Sequence, residues 1–225
     1  MRKRPDILIV GAGDQARVVL DILDEMGAGG EVAGFLDYVG NESLWGADLD
    51  GKEVLGGPEL LDTLRAKGIR RVHVGVGDNA ARKELVRRAI ALGYDLVTAI
   101  HPKASVSRRA RVSAGAAIHP GAVVMTGARI GQAAIVNTGA CVDHDCVVGD
   151  YAHVAPGAHL AGRVRVGTGT MIGIGASVRQ GTSIGEWATV GAGAAVVGDL
   201  KGGRTYVGVP ARELRKPRRS ADRGV

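Results

Sequence analysis

Aromatic side chains are almost missing from this 225-residue chain: one Phe, two Trp and four Tyr make up 3% of it. A core without them must be filled by branched aliphatic and small side chains. Cysteine is scarce as well. The two thiols, Cys141 and Cys146, exclude a disulfide framework and offer no ligand spacing for a structural metal. Seven prolines and the lack of a G-X-Y period exclude a collagen-like chain, although glycine is abundant at 36 residues. No stretch approaches the ~20 apolar residues of a membrane span. The apolar run near the start, Ile7 to Val10, is too short for the core of a signal peptide. These absences lead to the expectation of a reduced, cytoplasmic protein.

The net charge of +6 invites a nucleic-acid reading, but its distribution argues against one. Arg2, Lys3 and Arg4 supply +3 and residues 211–225 supply +4, which leaves the body between them at −1. Basic excess confined to two ends, with no recognition motif beside it, is expected to be solvated chain. No nucleic-acid partner is expected.

The informative signal is a period. From Val106 to Val196, every sixth residue is a branched aliphatic, sixteen positions without an exception. The residue four further on in each repeat is nearly always small, from Ala110 through Cys146 and Ala158 to Ala194. Glycine recurs just before it, as at Gly121, Gly139 and Gly157. A six-residue period fits neither an α-helix nor a hairpin sheet. It fits a three-sided coil with one hexapeptide per side, the aliphatic and the small residue both pointing inward and a glycine at the corner. One coil then takes 18 residues, and residues i and i+18 stack about 4.8 Å apart.

The N-terminal segment reads differently. Asp6 to Val10 is a short strand, followed by Gly11-Ala-Gly13-Asp-Gln-Ala16 and an amphipathic helix from Arg17 to Met26. The spacing matches G-x-G-x-x-A, in which amides at a helix N-terminus receive a phosphate. Further strands are expected at Glu31 to Leu36, ending at Asp37, at Arg71 to Gly75, and near Asp95 to Ile100. A helix is expected from Asn79 to about Ala91. Alternating strands and helices imply a small parallel α/β domain of Rossmann-like half size. About 95 residues suit a mononucleotide half-site better than a dinucleotide site, with Gly11 and Gly13 at a diphosphate and Asp37 at ribose or base. The division expected is an α/β domain over 1–100, a β-helix over 101–202, and an extension over 203–225 whose basic end is disordered.

The prism resembles the hexapeptide-repeat acyltransferases, whose left-handed β-helices are usually trimeric. With the α/β domain in front, the chain resembles the bacterial sugar acetyltransferases of the PglD/NeuD type. The matching residues are Ile9 to Gly13 with Arg17 to Val19, Gly34 to Asp37, Val76 to Asn79 with Arg82, and His101-Pro102. Asn137 to Asp150 match too, with His153, Pro156-Gly157 and Gly162, then Val207 to Ala211. The resemblance implies a homotrimer that uses acetyl-CoA to N-acetylate an amino group of a nucleotide-linked deoxy-amino sugar, for surface glycan synthesis. O-acetylation of a sialic acid is the alternative within the family. One departure stands out: the family carries Gly-His where this chain has Asp14-Gln15. That histidine belongs to the sugar-nucleotide pocket, so Gln15 bears on substrate identity, and Asp14 would repel a diphosphate that it faced.

Acetyl transfer needs a base for the attacking group and a donor for the oxyanion, and an imidazole suits the first task at neutral pH. His144, at an outward position beside the inward Val142, is the expected base. Family likeness makes Asp145 the partner that holds its ring and the Gly162 amide, one coil further on, the donor to the thioester carbonyl. It also assigns His153 to the substrate or coenzyme site and Asn137 to the acceptor sugar. Gly11, Gly13, Gln15, Asp37 and Asn79 are the expected sugar-nucleotide contacts. Coenzyme A is expected along small-residue runs that include Ile174 and Ala192, with Arg204, Arg212 and Arg215 near its phosphates. His119 and His159 are read as solvated, and Cys146 as packing. No acyl-enzyme is expected, because no activated Ser or Cys is evident. Two rival classes remain: a non-catalytic β-helix binding module, and metal-dependent hydration. The latter needs three converging histidines, and the offsets among His119, His144 and His153 do not put them on one face.

Overall fold

The computed structural model describes residues 5–40 and 42–214. The front of the chain is a six-stranded sheet flanked by helices. It comprises β1 (Ile7–Val10), α1 (Asp14–Glu25), β2 (Val32–Leu36), β3 (Asp48–Leu49), β4 (Lys52–Gly56), α2 (Leu61–Ala66), β5 (Arg71–Val74), α3 (Asn79–Ala91) and β6 (Asp95–Leu96). The strand order is β3-β4-β2-β1-β5-β6, and only the β3–β4 pair is antiparallel. β1 is central and covered on both faces, which is why its four residues are apolar without alternation. Ile7 and Ile9 pack with Ala16, Val19, Leu20 and Leu23 of α1, whereas Leu8 and Val10 pack with Val72, Val74, Val86 and Ala89 on the other face. Residues 38–70, which carried no pattern in the sequence, supply β3, β4 and α2. α1 starts at Asp14 rather than Arg17, so Asp14 and Gln15 lie in its first turn.

From Ala99 onward the chain winds into a prism. Two-residue strands pair in parallel at a spacing of 18, as in Val123↔Cys141↔His159↔Ser177↔Ala195. Three such ladders form the three sides. Every sixth-position aliphatic from Ile118 to Val196 is buried, and so is every small residue from Ala116 to Ala194. Val106 and Val112, in the first coil, are only partly buried. The expected strand at Asp95 to Ile100 divides in two: β6 closes the front sheet, and Ala99–Ile100 is the first rung of the prism. At the far end Thr205–Val207 adds to the prism, and Tyr206 and Ala211 join its core. Arg215 and the basic end of the chain lie outside the described residues.

The three corners differ in composition. One is glycine at every level (Gly121, Gly139, Gly157, Gly175, Gly193), all with positive φ. The second runs Gly127, Asp145, Arg163, Gly181, and the third Gly115, Ala133, Tyr151, Gly169, Trp187; here non-glycine residues hold φ of 50–62°. An L-residue in that region costs on the order of 1 kcal/mol, so the strain is concentrated on two edges.

The front domain docks on the third corner through α3. Arg82 is 1% exposed, and its Nε donates to the Ala133 carbonyl at 2.9 Å while Nη2 donates to the Tyr151 carbonyl at 2.7 Å. Asn79 Nδ2 donates to the Gly169 carbonyl at 3.0 Å. Lys83 Nζ sits 5.1 Å from the centre of the Trp187 ring. Four successive levels of one edge are thus contacted by one helix.

Removing volume from the prism interior separates inward from outward positions. Leu160→Ala should lower stability by about 2–5 kcal/mol, while Arg165→Ala, one strand on and exposed, should stay within about 0.5 kcal/mol. Urea midpoints of the two variants check this; equal effects would contradict the inward assignment.

Candidate active site

His144 occupies the turn between the strands Cys141–Val142 and Val147–Val148. Its backbone N–H donates to Asp143 Oδ1 at 2.7 Å, which fixes the turn. Its Nδ1 lies 3.0 Å from Asp145 Oδ2, and Asp145 holds the corner with φ of 59°. A ring that donates from Nδ1 to a carboxylate presents the Nε2 lone pair as the basic atom. That lone pair lies over Gly162, the residue one coil further on. A Cβ added at Gly162 would meet His144 Nε2 at 2.5 Å and Cε1 at 2.6 Å. Gly162 is therefore the one residue type that leaves room for the imidazole. Its own N–H has no acceptor among the described residues. An imidazole lone pair and a free amide N–H on stacked turns are groups of the kind that acyl transfer uses as base and oxyanion donor.

Open surface flanks this pair. Val123, Met125, Cys141, Asp143, His159 and Ala161 belong to an apolar groove of about 400 Å³. A second depression, of about 570 Å³, is bounded by Ala161, Arg179 and Gln180. Ile174 is 60% exposed, and Ala192, one coil on, is exposed too. Arg204 pairs with Glu213 at 2.6 Å, and Arg212 is exposed with Nη1 on the Ala211 carbonyl.

The second group of expected residues gathers at the carboxyl ends of β1, β2 and β5, where open α/β sheets bind ligands. A side chain at Gly11, which has φ of 122°, would strike the Gly75 carbonyl at 2.6 Å; Gly13 has nothing within 4 Å of where a Cβ would stand. Gly11 thus answers to packing and Gly13 faces open space. Gly13 caps α1 without a side-chain bond, and the Ala16 amide bonds to the Gly13 carbonyl at 3.0 Å, which leaves the Asp14 and Gln15 amides for an anion. Asp37 is buried at the end of β2 and accepts from the Val39 amide at 3.3 Å. Asp14 lines a groove on the outer side of α1 with Arg17, Asp21 and Asp50.

Two expectations need correction. His119 is not solvated: it is 1% exposed and its Nε2 lies 3.1 Å from Gln15 Nε2. The front domain covers the face on which it stands. Asn79 does not open onto a ligand surface, since Nδ2 bonds to Gly169 and Oδ1 accepts from Arg82 at 2.7 Å. His153 is buried beneath the same domain. Thr138 N–H donates to Asn137 Oδ1 at 2.7 Å, so the amide nitrogen of Asn137 is what faces His153 Nε2 at 3.0 Å. The His153 proton is then on Nδ1. His159 is exposed, and Cys146 is buried with Sγ 3.2 Å from the Ala161 carbonyl. Arg82 and His119 escaped the sequence reading as interface groups. Asn79 and Arg82 sit three apart at a helix start, but nothing marked Gly169 as the acceptor of the first, or Ala133 and Tyr151 as acceptors of the second.

Comparison with known proteins gives a consistent set. Residues 6–89 match the family model of the PglD N-terminal domain. The chain is 38% identical to perosamine N-acetyltransferase from Caulobacter crescentus, solved with CoA and GDP-perosamine; 93% of this chain and 97% of that one are covered, with a TM-score of 0.88. It is 35% identical to the acetyltransferase domain of PglB from Neisseria gonorrhoeae, solved with acetyl coenzyme A, over 94% and 100% of the two chains, with a TM-score of 0.85. WeeI from Acinetobacter baumannii, 23% identical over 92% and 99% with a TM-score of 0.62, shares the fold. No curated protein sequence matches.

His144→Ala should cut turnover by ~10²–10⁴ without moving the melting temperature, because the side chain is 42% exposed. Gly162→Ala should produce a loss of similar order by displacing the ring. Near-normal turnover in both would remove the assignment. A separate prediction concerns pH. Burial lowers the pKa of His73, His119 and His153 to about 4 each, against about 6.5 in unfolded chain. Between those values the unfolded state binds more protons, so stability is full above about pH 6.5 and falls as pH drops toward 4, on the order of 1 kcal/mol per pH unit per ring. Thermal unfolding from pH 7.5 to 4.5 should show this slope, and His119→Asn should reduce it. A flat profile would contradict neutral burial.

Proposed function

Because the chain belongs to the PglD/NeuD-type sugar acetyltransferases, we propose that it moves the acetyl group of acetyl-CoA onto the amino group of a nucleotide-linked deoxy-amino sugar. The observation that carries this reading is the seating of His144 Nε2 over Gly162 with Nδ1 held by Asp145. In the reaction the amine nitrogen forms a bond to the thioester carbonyl carbon as His144 Nε2 takes its proton. The Gly162 N–H stabilises the oxyanion. Collapse breaks the carbon–sulfur bond, and His144 returns the proton to the departing thiolate. Asp145 orients the imidazole and balances its transient charge. No covalent enzyme intermediate is involved.

The sugar nucleotide would approach from the front domain, its diphosphate at the amides near Gly13 and its nucleoside toward Asp37. Asn137 and His153 would meet the sugar. The pantetheine arm of the coenzyme would follow Ile174 and Ala192, where small or open side chains allow close approach, and Arg204 and Arg212 would serve its phosphates. A homotrimer is part of this reading. The apolar groove at Val123, Met125 and Cys141, with Met125 43% exposed, suits burial against a neighbouring prism and would enclose His144. No helix among the described residues is long and apolar enough to cross a membrane. A cytoplasmic site of action fits the use of acetyl-CoA.

A thiol-release assay with acetyl-CoA tests the proposal over UDP-, GDP- and dTDP-linked amino sugars, with sialic acid as the contrasting acceptor. GDP-perosamine is the first to try. N-acetylated product from a nucleotide amino sugar is expected; release with sialic acid alone would overturn it. Asp37→Ala should raise KM for the sugar nucleotide several-fold more than KM for acetyl-CoA. An equal rise would count against a nucleotide role for the front domain.

A further inference from the structure

We propose that Arg82 is a positioning residue for the transfer reaction: it sets the height of the front domain on the prism and thereby the place of the sugar-nucleotide turns along the prism. The inference rests on the function proposed above.

The guanidinium has five N–H donors, and all five are used. Nε bonds to the Ala133 carbonyl; Nη1 bonds to the carbonyls of Val76 at 2.7 Å and Gly77 at 3.0 Å; Nη2 bonds to Asn79 Oδ1 and the Tyr151 carbonyl. Every acceptor is a neutral carbonyl or amide oxygen. The cation thus sits between two domains with no carboxylate bonded to it. Burial lowers its pKa to about 10, which leaves it charged at neutral pH. A buried charge is a poor device for stability alone, because apolar packing costs less desolvation. What the planar fork supplies is geometry.

That geometry links two particular places. One side of the fork holds the Val76–Gly77 turn at the end of β5. The other side holds two levels of the prism corner, Ala133 and Tyr151, whose φ of 50° and 57° turns their carbonyls to meet it. Adjacent levels are about 4.8 Å apart, so the domain cannot slide without exchanging acceptors by a whole level. Asn79 on Gly169 and Lys83 on Trp187 mark the next two levels. The held turn abuts the other one, since Gly11 packs against the Gly75 carbonyl and Gly75 against Ala16. The position of Gly13 and Gln15 is therefore inherited from Arg82. The coenzyme surface at Ile174 and Ala192 belongs to the prism alone and does not depend on it.

Arg82→Lys keeps the charge and removes the fork. KM for the accepted nucleotide amino sugar is expected to rise at least tenfold, with KM for acetyl-CoA within twofold. Amide exchange should quicken at residues 75–78 and stay unchanged in the coils over 157–193. Should the lysine variant fail to fold, Asn79→Ala, which removes the bond to Gly169 and one acceptor of Arg82, is expected to give the same pattern more weakly. Faster exchange with both KM values unmoved would reduce Arg82 to a stabiliser and overturn the proposal, as would equal rises in both KM values. If no nucleotide sugar is turned over by the unmodified protein, the functional reading fails by itself. Unchanged exchange at residues 75–78 in the lysine variant would then overturn the positioning role independently.

Discussion

Closure of the coil at eighteen residues is the constraint on which the rest of this protein depends. Because each side is one hexapeptide, every residue has a fixed neighbour one level up and one level down. Function is then a matter of vertical pairs. His144 meets Gly162 because they are one coil apart, and a bulkier residue at the upper level would evict the ring. Asp145 meets the ring from the adjoining corner. The same count gives Arg82 its two acceptors on the prism, Ala133 and Tyr151, one level apart. A rigid ladder can hold catalytic geometry on turns, which in most folds are the loosest elements, because each turn is hydrogen-bonded to the ones above and below it.

The strained corners fall where this geometry is used. Glycine carries one edge throughout. The edges that hold Asp145 and the pair Ala133 and Tyr151 force side chains into left-handed backbone. Those residues lie beside His144 and under α3. Their cost is small against a prism core in which every interior position from Ile118 onward is buried. The front domain adds the second feature, a layer of neutral histidines. His73, His119 and His153 are buried at or near the seam, and the Arg82 charge lowers His73 and His153 further. A neutral ring keeps one nitrogen able to accept, as His153 Nε2 does from Asn137 Nδ2, whereas a charged ring could only donate.

Much of the fold was legible in the sequence because its signal is local and repeated. The period-six aliphatics have one inward solution, and the G-x-G-x-x-A turn after an apolar tetrapeptide has few. His144 and Gly162 followed from the same count of eighteen together with family likeness. What escaped reading depends on contacts between parts distant in the chain. His119 looks like any outward residue of a prism until a domain is laid over it. Asn79 looks like a ligand-binding amide until Gly169, ninety residues away, claims it. Residues 38–70 form strands only because β2 offers an edge; nothing in their own pattern alternates. Ala133 and Tyr151 gave no hint of left-handed backbone, since the glycine that marks other corners is absent there.

The central claim is that the imidazole of His144 and the amide of Gly162 together bracket a thioester. A crystal structure of the protein with CoA tests it most directly. The expected result is the thiol sulfur within about 4 Å of both His144 Nε2 and Gly162 N, close enough for the acetyl carbonyl to bond to that amide. Coenzyme bound with its sulfur on another edge of the prism, away from this pair, would contradict it.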